Sequence, residues 1–354
     1  MISRASVRLL RAQRSTTIRI VPAQRRWNST PGTKQEETLQ SDPRIKNIDN
    51  GASPDGKAEE EARKDPRIDD RGNELMDQFS VLKEKYNAPQ NPIVLCHGLF
   101  GFDEIRLAGQ YVPGIEYWRG ICDALRMHDV EVIIASVPPS ASIERRAEAL
   151  AEGVKRAAKG RKVNLIGHSM GGIDARYMLS LLRPNEFCAL SLTTIATPHH
   201  GSSFADYLFT TIGPTYTPRI LSSLASIGLE TGAFSQLTTS YMTQTFNPSV
   251  PDAAGVDYFS YGAMMSETPK PWSLFRFSHG IVEEREGPND GLVSVESAKW
   301  GKYEGTLVGV SHLDIINWYN RMEYFVDMAM GKKRRFNAVA FYCALIDNLA
   351  KRGF

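Results

Sequence analysis

Ser169 stands between two glycines in "GHSMG", residues 167 to 171, directly after the apolar run "KVNLI" and directly before "GIDARYM", which has helix-forming composition. A serine on a strand-to-helix turn occupies strained backbone and presents its Oγ at the carboxyl end of a sheet. Small flanking residues let the chain turn that tightly, and the next helix's N-terminus lies close by. Such a hydroxyl becomes nucleophilic only when a base removes its proton, so an imidazole and an orienting carboxylate are needed. A nucleophile on this kind of turn is followed in the chain first by its acid and then by its base. Of the seven histidines, His97 and His168 flank glycines, His128 is near a helix end, His199 and His200 precede a long excursion, and His279 precedes the best acid; only His312 follows Asp290. Asp290 itself sits in the D-G turn of "GPNDGLVSV", read as a loop emerging from "RFSHGIV" as from a strand. Its competitors Glu283, Glu284 and Glu286 read as a solvated charge run, and Asp257 lies before its strand. An acyl-transfer reaction at Ser169 also needs two amide donors for the oxyanion. The N–H of Met170, next after the serine, is one; Leu99 in "HGLFGF", after the first strand, offers the other.

These residues must be carried by elements that meet at one edge. "PIVLCHG", "VEVIIASV", "KVNLIGH" and "ALSLTTIAT" read as buried strands, while "IEYWRGICDALRMHD" and "SIERRAEALAEGVKRAAKG" have helical periodicity. Strands alternating with helices imply an α/β fold, a mostly parallel sheet covered by helices on both faces. Leu75, Phe79, Leu82 and Tyr86 predict an amphipathic helix ahead of the first strand. Residues 202 to 250 break the alternation. Thr217 as N-cap and Pro218 at the first helical position predict a helix over 218–229, with Ile220, Leu221, Leu224 and Ile227 on one face. An excursion of that length reads as a helical lid over an apolar cleft.

Composition excludes several classes. The chain of 354 residues carries 42 Lys and Arg against 40 Asp and Glu. Seven of those arginines lie in residues 1–28, before the first acid, Glu36, so the body of the protein is mildly acidic and nucleic acid is not an expected partner. The arginine- and hydroxyl-rich, acid-free segment 1–28 reads as a mitochondrial transit peptide, which places the protein in the mitochondrion. Residues 29–70 are charged, rich in Pro and Gly, and read as a disordered linker to the domain of 71–354. Cys96, Cys122, Cys188 and Cys343 have no metal-site or paired spacing and read as reduced thiols. No run is long enough for a transmembrane helix, which leaves peripheral membrane contact. "GKKRRF", residues 331 to 336, precedes a helix reaching about Lys351, with Phe336, Val339, Cys343 and Ile346 on one face. Its four cations oppose the helix dipole and admit two readings: the solvated basic start of a packed terminal helix, or a site for anionic lipid.

Together, "PIVLCHGLFGFDEI", "YWRGI", "VNLIGHSMGGIDARYM", "TIATPHHGSSFAD", "NDGLVSVESAKWG" and "HLDIIN" resemble, in the same order, blocks of the bacterial true lipases of the pseudomonad type and of the fungal mitochondrial triacylglycerol lipases, α/β-hydrolases all. The resemblance covers about residues 90 to 330. It implies Ser169 as nucleophile, Asp290 as acid, His312 as base, and Leu99 and Met170 as oxyanion donors, acting on lipid esters at a lipid–water interface under a lid. No cofactor is implied for the chemistry. Bacterial members hold a structural calcium through two aspartates; Asp314 matches one position, and Glu267 is the only acid near the other. Some members also have a disulfide after the D-G turn, and "VSVESA" lacks its cysteine. The expected reaction is hydrolysis of lipid carboxylic esters, above all triacylglycerol. A phospholipase or lipid acyltransferase, and an inactive hydrolase fold serving as a lipid-binding tether, are the alternatives.

Overall fold

The computed structural model describes residues 74–75, 83, 85–99, 117–139, 141–211, 232–271, 273–318 and 336–354. The segments read as transit peptide and linker, the helix expected over 218–229 and the cations at 332–335 lie outside the described residues. Among the described residues seven parallel strands form one sheet in the order β1-β7-β6-β5-β4-β2-β3. They are β1 (Glu74–Leu75), β2 (Ile93–Cys96), β3 (Val132–Ile134), β4 (Lys162–His168), β5 (Cys188–Ile195), β6 (Asp257–Met264) and β7 (Lys302–Val308). The chain runs from β2 outward to β3, returns to β4 on the other side of β2, and then continues away through β5 and β6. The order therefore reverses between β2 and β4, and in open parallel sheets the crevice at the carboxyl ends of such strands is where ligands bind. Gly98 follows β2 there, and Ser169 follows β4.

Both faces of the sheet are apolar because both are covered. Along β2, Ile93 and Leu95 face one core while Val94 and Cys96 face the other, the two-residue period of a pleated strand. The first core is closed by α1 (Ile121–Met127) and the C-terminal α9 (Ala338–Lys351), which buries Phe341, Tyr342, Cys343 and Ile346. Asn337 caps α9, its side chain accepting from the amides of Val339 and Ala340. The second core is closed by α2 (Ile143–Ala158) and α3 (Met170–Tyr177), the latter continuing into a π-turn, Met178–Leu182. In α2 the buried stripe Ala147, Leu150, Val154 and Ala158 recurs every three or four residues, so one helical face meets the sheet. Among the described residues no helix is long and apolar enough to cross a membrane.

Two readings of the sequence are corrected. The predicted helix through Leu75 and Tyr86 is not formed where the chain is described: Glu74–Leu75 pairs with β7, and residues 85–89 carry no helix. Tyr86 is nonetheless buried, under α9, so its apolar spacing reported burial and not periodic structure. "RFSHGIV" is not a strand but the start of α8 (Arg276–Arg285), whose buried Ser278, His279 and Val282 lie at helical spacing.

The glycines of the elbow are required by close approach. A Cβ at Gly171 would overlap the carbonyl of Cys96 and come within 2.7 Å of the His97 oxygen, and one at Gly167 would meet Gly172 Cα at 2.6 Å. These neighbours are backbone and cannot rotate aside. Gly171→Ala is expected to cost on the order of 3 kcal/mol in urea unfolding, or to prevent folding; a variant within about 0.5 kcal/mol of wild type would contradict this packing.

Candidate active site

Ser169 adopts φ 55° and ψ −135°, a conformation an L-residue takes only when its surroundings impose it. The surroundings are visible. Its N–H donates to the Ile195 carbonyl at 3.0 Å, and its own carbonyl accepts from Thr197 Oγ1 at 2.8 Å and from the Gly172 amide at 3.1 Å. Met170 opens α3, where the first amides have no acceptor within the helix.

Across the crevice, Gly98 presses on the serine: a Cβ there would lie 2.8 Å from Ser169 Cβ. The loop is held from beneath by Arg146, a fully buried side chain of α2. Its guanidinium donates to the carbonyls of His97 at 2.8 Å, Gly98 at 3.3 Å and Pro138 at 2.7 Å, and pairs with Asp174 Oδ2 of α3 at 2.7 Å. His97 Nδ1 also bonds the Gly98 carbonyl, at 3.0 Å. In a trans peptide the N–H points opposite to the C=O, so the Leu99 amide faces away from Arg146. Leu99 and Met170 join one apolar cluster with Ile143, Ile173, Met242 and Phe246.

Tyr117 ties this loop to the elbow. Its hydroxyl accepts from the Gly98 amide at 2.9 Å and lies 2.7 Å from His168 Nδ1. Burial, with His312 nearby, holds the His168 pKa well below the usual imidazole value. Burial first and Arg146 second push His97 down to about 3. Both rings are thus fixed neutral hydrogen-bonding parts. Burial raises Asp174 to about 6, against the attraction of Arg146.

His312 meets Asp290. Nδ1 lies 2.7 Å from Asp290 Oδ2, and the His312 amide donates to the Asp290 carbonyl at 2.8 Å. Asp290 is fully buried, and its Oδ1 accepts from the amides of Leu292 and Val293 at 3.0 and 2.8 Å, which aims Oδ2 at the imidazole. The Met265 amide, just past β6, donates to the Asn289 carbonyl, so the acid loop is fastened at that strand's end although α8 intervenes. With Nδ1 donating, Nε2 keeps a free electron pair. The His312 ring lies 4.6 Å, centroid to centroid, from the ring of His168, the residue before the serine. The structure thus joins the expected acid and base directly and sets the base's ring beside that of the residue preceding Ser169.

Other expectations fare differently. Glu286 is not part of a solvated run: it accepts from the Ser203 amide at 2.6 Å and from Ser294 Oγ at 2.5 Å. Glu283 accepts from Asn289 Nδ2 at 3.1 Å, and Glu284 is exposed. Asp314 Oδ2 accepts from Ser311 N and Oγ, at 2.9 and 2.7 Å, closing the turn that carries His312, while Glu267 is exposed. Among the described residues no group of three or more His, Cys, Asp or Glu side chains is arranged to hold a metal ion. The feet of the 202–250 excursion are pinned. Asp206 of α4 (Ser203–Thr211) accepts from Thr239 N and Oγ1 at 2.9 and 2.6 Å, Ser202 Oγ donates to the Leu292 carbonyl at 2.7 Å, and Arg176, 3.5 Å over the Trp300 ring, holds Asn247 Oδ1 at 2.9 Å. The sequence assigned no role to Arg146, Tyr117 or His168, although Tyr117 opens the quoted block "YWRGI" and His168 precedes the serine.

A family model described as "Putative serine esterase (DUF676)" matches residues 142–237, from α2 through the elbow. Triacylglycerol lipase 2 of Saccharomyces cerevisiae is 35% identical over 333 residues, covering 81% of this chain and 99% of that protein. The chain belongs to the triacylglycerol lipase family. It is accordingly a serine hydrolase of lipid carboxylic esters. The triacylglycerol lipase of Vibrio cholerae is 31% identical, over 67% of this chain and 83% of its own length. Among solved structures, Staphylococcus hyicus lipase aligns with a TM-score of 0.56 at 19% identity, covering 76% of this chain and 98% of that one. Bacillus licheniformis lipase BlEst2 gives 0.52 at 21%, covering 73% and 99%. These two agree with the α/β-hydrolase fold.

Tyr117→Phe keeps the ring but leaves the Gly98 amide and His168 Nδ1 without their partner. It is expected to cost about 1–3 kcal/mol in urea unfolding. No loss would mean that this bridge does not hold the loop.

Proposed function

We propose that this protein hydrolyses triacylglycerol with Ser169 as nucleophile, His312 as general base and acid, and Asp290 as the carboxylate that orients and supports the imidazole. His312 Nε2 removes the Ser169 proton as Oγ attacks the ester carbonyl. The carbonyl oxygen, now carrying the negative charge, accepts from the amides of Met170 and Leu99. His312 then gives its proton to the departing alkoxide, releasing diacylglycerol and leaving the acyl group on Ser169. Water, deprotonated by the same imidazole, attacks the acyl-enzyme, and the fatty acid leaves as the serine recovers its proton. The observation that carries the reading is the 2.7 Å His312–Asp290 bond beside a serine held at φ 55°. With Nδ1 engaged by the acid, Nε2 is the nitrogen that takes the Ser169 proton in this reading.

The segment 202–250 serves in this reading as the lid. Its feet are pinned to the acid loop and to α3, and its apolar residues share a cluster with Leu99 and Met170. Residues 1–28 direct the protein to the mitochondrion.

With emulsified trioleoylglycerol, Ser169→Ala is expected to reduce hydrolysis by about 10⁶-fold. Asp290→Asn should reduce kcat by about 10⁴-fold, since the imidazole then loses its tautomer. Wild-type-like fatty acid release by Ser169→Ala would refute the assignment. For localisation, residues 1–28 fused to a fluorescent protein should enter isolated energised mitochondria and be clipped there. A fusion that stays outside, under conditions where a known matrix precursor enters, would refute that part.

A further inference from the structure

His168, the last residue of β4 and the neighbour of Ser169 in the chain, is buried and exchanges no proton in the acyl transfer. Burying an imidazole costs stability unless its polar atoms are used, so its presence beside the nucleophile asks for a reason. Its ring lies against that of His312, 4.6 Å between centroids and inclined by 42°, which is contact distance for two flat rings. Among the described residues it is the only aromatic ring in contact with the base.

The His168 ring is itself held on its other side. The Tyr117 hydroxyl lies 2.7 Å from Nδ1, and the Trp118 ring stands edge-on to it at 6.4 Å. The same hydroxyl accepts from the Gly98 amide at 2.9 Å, and the His168 carbonyl is 3.2 Å from where a Gly98 Cβ would stand. Side chain and main chain of His168 are thus both fixed against the loop after β2. Nε2 completes no hydrogen bond among the described residues. Burial lowers the pKa of the ring and the His312 imidazole adds to this, while the main chain of His312 opposes both.

The base needs a wall of this kind. Nδ1 of His312 is tied to Asp290 by one bond, and a ring held at one atom can still tilt about that bond. Tilting moves Nε2, and a misplacement of about 1 Å can cost on the order of 10²-fold in rate. A flat ring at contact distance blocks the tilt on one side. That neighbour must also be uncharged, because His312 becomes an imidazolium when it takes the serine proton; burial keeps His168 neutral.

We infer that His168 is a positioning residue for the base: its ring, anchored to Tyr117, stops the His312 imidazole from tilting about its bond to Asp290 and so fixes where Nε2 points. The inference rests on the reading of His312 as base. Through Tyr117 the same ring is joined to the loop that carries Leu99, so base and loop are set from one side chain.

Two variants separate the ring from its anchor. His168→Asn keeps a carbonyl to take the Tyr117 hydroxyl but removes the ring, whereas His168→Phe keeps a ring and removes Nδ1. On a soluble short-chain ester His168→Asn lowers kcat about 10²-fold with KM within about twofold of wild type, while His168→Phe stays within about fivefold in kcat although it unfolds at lower urea. A second readout needs no turnover. In Ser169→Ala protein carrying ¹⁵N-labelled histidine, the His312 Nδ1–H resonance, identified by its shift in Asp290→Asn, is sharp; it broadens or vanishes in His168→Asn and stays sharp in His168→Phe. Wild-type kcat in His168→Asn overturns the inference, and so does a sharp resonance in that variant, a result that decides even if His168→Phe fails to fold. Equal loss of kcat in both folded variants also overturns it, since the ring would then act only through the fold. Full hydrolysis by Ser169→Ala would refute the acyl-enzyme reading instead, and the resonance would still report on the packing of the two rings.

Discussion

The site depends on backbones meeting without side chains between them. Gly98 lies against Ser169, Gly171 against the carbonyls of Cys96 and His97, Gly167 against Gly172, and Gly172 against Thr197. This contact lets α3 start directly over the ends of β2 and β4, and it forces Ser169 into a backbone conformation costing on the order of 1–3 kcal/mol. The strain is balanced by the three hydrogen bonds on the serine's main chain and by the apolar cover of Met170. The same contact sets the loop after β2 at the edge of the crevice, so one constraint positions the hydroxyl and the amides beside it.

Charge is distributed around that constraint with economy. Three imidazoles lie near the elbow, and their environments separate them. His97 and His168 are buried without a carboxylate and stay neutral, their nitrogens bound to Gly98, Val137 and Tyr117. His312 alone is paired with a carboxylate, one whose other oxygen is already saturated by two amides. Arg146 and Asp174 form a buried pair beneath the loop; the arginine's other donors are spent on three carbonyls, which is how a buried guanidinium is tolerated.

The strands, the elbow and the acid–base order were readable because each depends on local spacing or chain order. Asp290 and His312, 22 residues apart, are paired as their order in the chain predicts, and the alternation of β2 and β4 matches the two cores. What was not readable depends on partners distant in the chain. Arg146 looks like any charge on an amphipathic helix until the loop after β2 is placed above it. Glu286 looks solvated until α4 and Ser294 close on it. "RFSHGIV" mimics a strand because a seven-residue window holds too few helical turns to separate the two periods, and only its placement shows which face is buried. Leu75 and Tyr86 are apolar because they cover β7 and α9, not because they share a helix face.

The claim that Ser169 is the activated nucleophile is tested most directly by mass-spectrometric mapping of a fluorophosphonate adduct on the native protein. The account predicts one adduct, on the peptide carrying Ser169, absent after heat denaturation and slowed in Asp290→Asn. An adduct on another serine, or none on the folded wild type, would contradict it.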